Sequence, residues 1–326
     1  MIVDGADQAQ IDTAAKRISQ GELVAFATET VYGLGARADD DAAVGKIFEA
    51  KGRPSNHPLI VHVSGIAQAE RFAADLPLSA RRLMAAFWPG PMTVIVPRHE
   101  DQGCAAAGGQ ASIGLRCPAH PVAKALLAAA ALLGVQGVAA PSANRFGRVS
   151  PTRASHVASE FDDTLLILDG GECALGIESS IVDCSRAVPT LLRPGVLLRS
   201  DIEAVLGEPL HAADADAPRA SGTLESHYAP KAKVVLLQEA ELQTRLNAAL
   251  ASGSHKMPAV YSRFGVIAHG VIARRMPTDP GLVAQELFAV LRELDATGVS
   301  EIWIEAAPTL AAWDGVRDRL QRASAS

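Results

Sequence analysis

The stretch EAKGRPSNHPLIVHV, Glu49 to Val63, sets Lys51 and Arg53 on either side of Gly52, just ahead of the helix-breaking Pro54. A glycine between two cations lets both side chains turn into one concavity. There Lys acts as a mobile point charge and Arg as a fixed fork for oxyanions. Taken alone, the pair also fits a solvated loop. His62 ends the apolar run that follows, either as a ligand-facing group or as a hydrogen-bonded structural histidine.

Four further segments place polar residues directly after apolar, strand-like runs. In ATETVYGLGA (Ala27–Ala36), Thr28, Glu29 and Thr30 stand where a strand leaves a sheet, and Gly33 and Gly35 allow close backbone approach to a ligand. Gly33, Gly35 and Ala38 match GxGxxA, but TETVY separates that glycine from the strand, and the next strand ends in His62, not in an acid. In SIGLRCPAHP (Ser112–Pro121), Pro118 stops a strand after Arg116, which is placed to grip a carboxylate bidentately or to bridge a neighbouring loop. APSANRFGRVSPT (Ala140–Thr152) carries Ser142, Asn144, Ser150 and Thr152, suited to a nucleotide or small polar substrate and equally to turns and caps. IESSIVD (Ile177–Asp183) and LLRPG (Leu191–Gly195) bring Ser179, Ser180 and Arg193.

No GxxxxGK[ST] loop, HExxH pair or GxSxG elbow occurs, and no two acids stand out as a general acid/base couple. An inventory of cations, hydroxyls, amides and glycines binds and orients charged substrates; it does not attack them covalently.

The elements that must hold these residues alternate. Helices are expected over 9–19, 39–51 and 121–133. Strands are expected over 23–27, 59–63, 92–96, 112–116, near 138, and over 165–168, 181–184 and 190–193. This interleaving is the pattern of an α/β domain over residues 1–206. Residues 207–231, rich in Ala, Asp, Pro and Ser, form a predicted linker. Alternation then restarts, predicting a smaller α/β domain over 232–326. At 326 residues and 48% hydrophobic, the chain has enough material for two cores.

The formal charge of −6 excludes a generic polyanion binder. Through Ser200 there are 18 Lys/Arg against 20 Asp/Glu, yet Lys51, Arg53, Arg116, Arg145, Arg148 and Arg193 fall at strand ends or loops, where α/β sheets bind ligands. Cys104, Cys117, Cys173 and Cys184 lack zinc spacing and are expected as reduced thiols. The N-terminus lacks the pattern of a signal peptide, and no apolar run is long enough to span a bilayer, so a cytoplasmic protein is expected.

Together the segments resemble the YrdC-like family of threonylcarbamoyl-AMP synthases in its longer, two-domain form. TETVYGLG, KGRP, the strand ending in His62, LRCP, PSAN and LRPG appear in the family's order and spacing, and SHYAP (Ser226–Pro230) resembles its linker motif. Ala27 stands where the family often has Pro, and His57 where Asn is usual. The resemblance implies a twisted mixed sheet with flanking helices, plus a small Rossmann-like C-terminal domain on an extended linker. It implies condensation of L-threonine, bicarbonate and ATP to threonylcarbamoyl-AMP and pyrophosphate. A partner complex then moves the threonylcarbamoyl group to an adenosine of tRNA. Lys51 and Arg53 become the catalytic cations and, with Ser142 and Asn144, hold ATP. Thr30, His62, Arg116, Ser142 and Ser179 line the threonine pocket. His57, Ser112, Thr152, Arg193 and Tyr228 complete the nucleotide site. Mg²⁺ is expected mainly on the ATP phosphates, with no protein metal site, and residues 221–230 are expected to fold over the nucleotide.

Two other readings use the same residues. A basic concavity also suits an RNA-binding module, although the net acidity and the lack of stacking aromatics speak against it; weak RNA contact stays compatible with the enzyme. An NAD-dependent Rossmann enzyme rests on GxGxxA alone.

Overall fold

A computed structural model of the chain describes residues 1–223, 227–252, 257–266 and 270–325. The chain divides into two compact units. The first comprises Met1–Phe146 and Ser150–Thr223; the second comprises Gly147–Val149 and Leu224–Ser326.

The first unit is built on strands β1 (Ile2–Asp4), β2 (Val24–Phe26), β3 (Gly33–Arg37), β4 (Ile60–His62), β5 (Met92–Pro97), β6 (Ser112–Arg116), β7 (Val138–Ala139), β8 (Leu166–Asp169), β9 (Ser180–Asp183), β10 (Thr190–Arg193) and β11 (His211–Ala212). They form one mixed sheet in the order β1-β8-β2-β3-β7-β4-β6-β5-β9-β10-β11. Helices α1 (Gln8–Ser19), α2 (Asp41–Lys51), α3 (Ile66–Phe72), α4 (Leu78–Phe87), α5 (Pro121–Leu132), α6 (Ala154–Ala158) and α7 (Arg199–Leu206) connect them.

Alternation along each strand sends side chains to opposite faces. Val24 and Phe26 join Ile18 and Leu126 in one core cluster, whereas Ala25 and Ala27 join Ile47 and Leu83 in another. Val61, Val94, Leu115 and Val182 all belong to that second cluster. Their strand neighbours His62, Thr93 and Arg116 therefore point the other way, over a stretch of β4, β6 and β5.

Two stretches depart from expectation. Gly33–Arg37 is a strand, antiparallel to both β2 and β7, and not the strand-to-helix turn of a dinucleotide fingerprint. Its glycine has a packing reason. A Cβ on Gly35 would meet Phe26 Cε1 at 2.8 Å and Val138 Cγ1 at 2.9 Å. The Rossmann reading of this segment is overturned. The expected linker 207–231 is also divided: residues 207–223 belong to the first unit, where β11 pairs in parallel with β10. Strand pairing supplies there the order that its own composition lacks.

The second unit holds β12 (Lys233–Leu237), β13 (Ala259–Ser262), β14 (Ile272–Arg275) and β15 (Glu301–Glu305), with helices α8 (Glu239–Ala251), α9 (Pro280–Ala296) and α10 (Asp314–Ser324). Its sheet, ordered β12-β15-β13-β14, is parallel throughout.

Replacing Gly35 with Ala forces a methyl group into this packed layer, and overpacking of that kind costs about 1–3 kcal/mol. Gly35→Ala should lower the denaturation midpoint accordingly; an unchanged midpoint in urea would show the layer to be looser than described.

Candidate active site

The site begins where α2 ends. Asp40 caps the helix start by accepting from Ala42 and Ala43 N–H, and Gly52 ends it in the left-handed region at φ 62°. Nothing crowds Gly52, so backbone conformation alone requires a glycine there. This turn sends Lys51 and Arg53 inward, 3% and 7% exposed. Lys51 Nζ donates to Ser142 O at 2.5 Å and to Asn144 O, while Phe146 N–H returns a bond to Lys51 O at 2.8 Å. Burial, and then the neighbouring Arg53 charge, push the Lys51 amine well below its ordinary value; Glu160 and Glu178 partly offset them. Arg53 Nη2 donates to Pro58 O at 2.8 Å, and its guanidinium lies 5.8 Å from the Phe146 ring.

Sheet register builds the next part. His62 pairs with Arg116 across β4 and β6, and Arg116 pairs with Thr93 across β6 and β5. Directly opposed residues share a face, so the three side chains stand in one row. Arg116 is 4% exposed. Its Nη2 donates to Glu29 Oε1 at 2.6 Å, its Nη1 to Thr30 Oγ1 at 2.9 Å and its Nε to Gly90 O at 3.3 Å. Thr30 is held in turn by Thr28 Oγ1 at 2.9 Å. Burial alone would raise the Glu29 carboxyl, but the Arg116 charge and hydrogen bonds outweigh it and hold it below the usual carboxylate value. Burial, aided by the Arg116 charge, pushes the His62 imidazole down to about 3, so it is neutral near pH 7. Its Nδ1 is buried without a hydrogen-bond partner among the described residues.

A third group lies beside Thr93. Thr93 Oγ1 and Ser179 Oγ are 2.8 Å apart, and Arg193 donates to Ser179 O from Nε at 3.0 Å and from Nη2 at 2.9 Å. Arg193 Nη1 also donates to Ser221 O at 2.7 Å, and Arg53 Nη2 reaches Ser221 Oγ at 3.4 Å. One residue thus touches both guanidinium groups. Arg219, Ala220 and Ser221 cover a cleft whose floor and walls include Ile60, Thr93, Ser112 and Gly114. Gln110 clasps this cover, accepting from Arg219 N at 2.8 Å and donating to Arg219 O at 3.1 Å. The space left beneath, about 10 Å³, is the size of one water.

Lys51, Arg53, Ser142, Asn144, Thr30, His62, Arg116, Ser112, Ser179 and Arg193 are thereby linked by contacts, register or a shared cleft wall. His57 is half-buried, with its ring 5.4 Å from Phe146. Thr152 is buried beyond the Ser142 loop, where its carbonyl accepts from Cys173 N. Tyr228 belongs to the second unit, at φ 64°, with its ring 5.2 Å from Phe288 and the Arg319 guanidinium 5.5 Å from it. Within that unit it is a packing residue, and its expected nucleotide role is drawn from the resemblance alone. Ser226 of the SHYAP motif lies outside the described residues.

Thr93, Glu29, Glu178 and Gln110 stand outside the roles that the sequence motifs suggest. Thr93 carried a faint signal, a lone hydroxyl inside the apolar run MTVIVP. Glu178, 7% exposed, accepts from Ser150 Oγ at 2.5 Å; nothing in IESS marked it.

The low His62 value sets a pH dependence. Between 6.5 and about 3 the unfolded chain binds a proton that the folded chain refuses, so stability falls as pH drops through that window. By pH 5 this amounts to about 2 kcal/mol. Urea unfolding of His62→Gln should lose that part of the difference between pH 7 and pH 5; an identical pH slope in the variant would contradict it.

Against known proteins, the family model for Sua5, YciO and YrdC, described as "Telomere recombination", matches residues 16–195. The model described as "Threonylcarbamoyl-AMP synthase, C-terminal domain" matches residues 198–325. Threonylcarbamoyl-AMP synthase of Pyrococcus abyssi is 38% identical over 97% of this chain and 94% of its own length, and that of Bacillus subtilis is 38% identical over 97% and 93%. The crystal structure of P. abyssi Sua5 complexed with L-threonine superposes with a TM-score of 0.91 at 36% identity, covering 99% of this chain and 97% of that one. Escherichia coli YciO, at 21% identity and a TM-score of 0.51 over 60% of this chain, shares the fold. The chain belongs to the threonylcarbamoyl-AMP synthase family, in the form that carries both domains.

Proposed function

We propose that this cleft condenses L-threonine, bicarbonate and ATP into threonylcarbamoyl-AMP, with release of pyrophosphate. The observation that carries the reading is the gathering of Lys51, Arg53, Arg116 and Arg193, each 7% exposed or less, around one floor lined with hydroxyls and a neutral histidine. Buried cations suit compact anions that arrive one at a time. An RNA backbone needs its cations on an accessible surface.

The Arg116 end takes the amino acid. A guanidinium has five N–H donors, and described residues occupy three of them. Two remain to fork onto the threonine carboxylate, with Thr30, Thr93 and Ser179 supplying hydroxyls close by. Neutral His62 offers its unpartnered Nδ1 to a polar group of the substrate. The Lys51 and Arg53 end takes the triphosphate, beside Ser142, Asn144 and the Phe146 ring.

The reaction follows from this placement. The threonine amine forms a C–N bond with bicarbonate, and water is lost. A carbamate oxygen then bonds to the α-phosphorus as the bond to the β-phosphate oxygen breaks and pyrophosphate leaves. Two anions must meet, so charge neutralisation and alignment dominate the catalysis. Lys51 and Arg53 neutralise the phosphates, and Arg116 holds the amino acid in line. Among the described residues no group of three or more His, Cys, Asp or Glu side chains could hold a metal ion. The donor set fits a Mg²⁺ carried in on the phosphate oxygens, where it would spread the triphosphate charge. With residues 219–221 in place the cleft holds a water and not a nucleotide, so in this reading the cover lifts for ATP. The product passes to a partner complex that modifies tRNA in the cytoplasm.

Pyrophosphate release should require L-threonine and bicarbonate together. Lys51→Ala should slow it by about 10- to 100-fold or more, the worth of one charge-assisted hydrogen bond. Release that persists without threonine, or RNA binding with a steep salt dependence and no ATP turnover, would reject the assignment.

A further inference from the structure

We infer that Glu29 is a positioning and specificity residue: paired with Arg116, it makes the amino-acid end of the cleft electrically neutral and tunes it to a zwitterion in preference to an anion. This rests on the reading that Arg116 receives the substrate carboxylate.

Glu29 is fixed from three directions. Oε1 accepts from Arg116 Nη2 at 2.6 Å, Oε2 accepts from Ala119 N at 3.1 Å, and its carbonyl accepts from Leu175 N at 2.8 Å. The residue is 8% exposed, so the carboxylate has little room to turn away. Arg116 is fixed as tightly, through Thr30 and Gly90. Together these bonds set the plane of the guanidinium and choose which two N–H groups face the cleft.

The pair also decides the charge. A lone buried Arg116 would present one uncompensated positive charge and favour any carboxylate. With Glu29 beside it the pair sums to zero, and His62 in the same row adds nothing near neutral pH. Burial of an ion pair is a weak route to stability, since an apolar replacement often serves as well. Its position beside the substrate pocket points to recognition. L-threonine, a zwitterion of no net charge, matches a neutral pocket. The positive end, at Lys51 and Arg53, is left for the polyanion.

The test compares two ligands on the full-length protein by calorimetry: L-threonine, and 2,3-dihydroxybutanoate, which replaces the amine with a hydroxyl and is an anion. Wild type should favour threonine. Glu29→Gln should weaken threonine binding about tenfold or more, the loss of one charge-assisted hydrogen bond. It should weaken the hydroxy acid less or strengthen it, so the ratio of the two dissociation constants moves toward the anion. The KM for ATP should hold. Glu29→Asp, which keeps the charge at shorter reach, should lose affinity for both ligands with the ratio near wild type, and melting curves check that each variant folds. If Glu29 only props up the fold, both ligands weaken in parallel in Glu29→Gln and the proposal is overturned. Failure of wild type to bind threonine would instead overturn the function reading, and this inference with it.

Discussion

Positive charge held out of water is the constraint around which the first unit is arranged. Transfer of an ammonium or guanidinium group into a protein interior is costly unless hydrogen-bond acceptors and countercharges meet it. Each buried cation here is met in its own way. Lys51 is gripped by two backbone carbonyls of the 142–144 loop, Arg116 by a carboxylate and a hydroxyl, and Arg193 by the carbonyls of Ser179 and Ser221. These grips are also crosslinks. They tie the end of α2 to the loop after β7, the end of β6 to the loop after β2, and the end of β10 to the start of β9. The bonds that make the charges tolerable therefore also place them.

The mixed sheet makes this economical. Antiparallel and parallel neighbours alternate from β7 to β10, so strand ends carrying chemistry come from distant parts of the chain. Apolar side chains of β4, β5, β6 and β9 face one core cluster, which leaves their opposite face for polar groups. His62, Arg116 and Thr93 occupy that face because each lies an odd number of residues from an apolar neighbour. A slip of one residue in register would bury Arg116 in the apolar cluster and empty the pocket.

The second unit is a parallel α/β layer with its own core around Val260, Leu242 and Trp303. Tyr228 lies in this unit, in a left-handed conformation uncommon for a non-glycine residue, with Phe288 and Arg319 about its ring. That combination of strained backbone and full burial marks the residue as closely held, whatever further role it has.

Local chemistry was legible where one residue type permits little else. Gly52 between two cations, Pro118 after Arg116 and the apolar runs of β5 and β6 announced their roles, and the motif order announced the family. What the sequence could not carry was anything created by pairing across the chain. Gly33–Arg37 reads as a glycine loop for close approach to a ligand and becomes a strand because β2 and β7 flank it. Residues 207–223 read as a tether, yet β10 pairs with part of them and Gln110, Arg53 and Arg193 hold the rest. Glu29 looked like one polar residue among several until Arg116, far along the chain, came within 2.6 Å. Side-chain type and spacing thus determined which groups this protein would use. Only the folded sheet decided which of them would meet, because hydrogen-bonded register and burial act between segments that no local stretch of sequence contains.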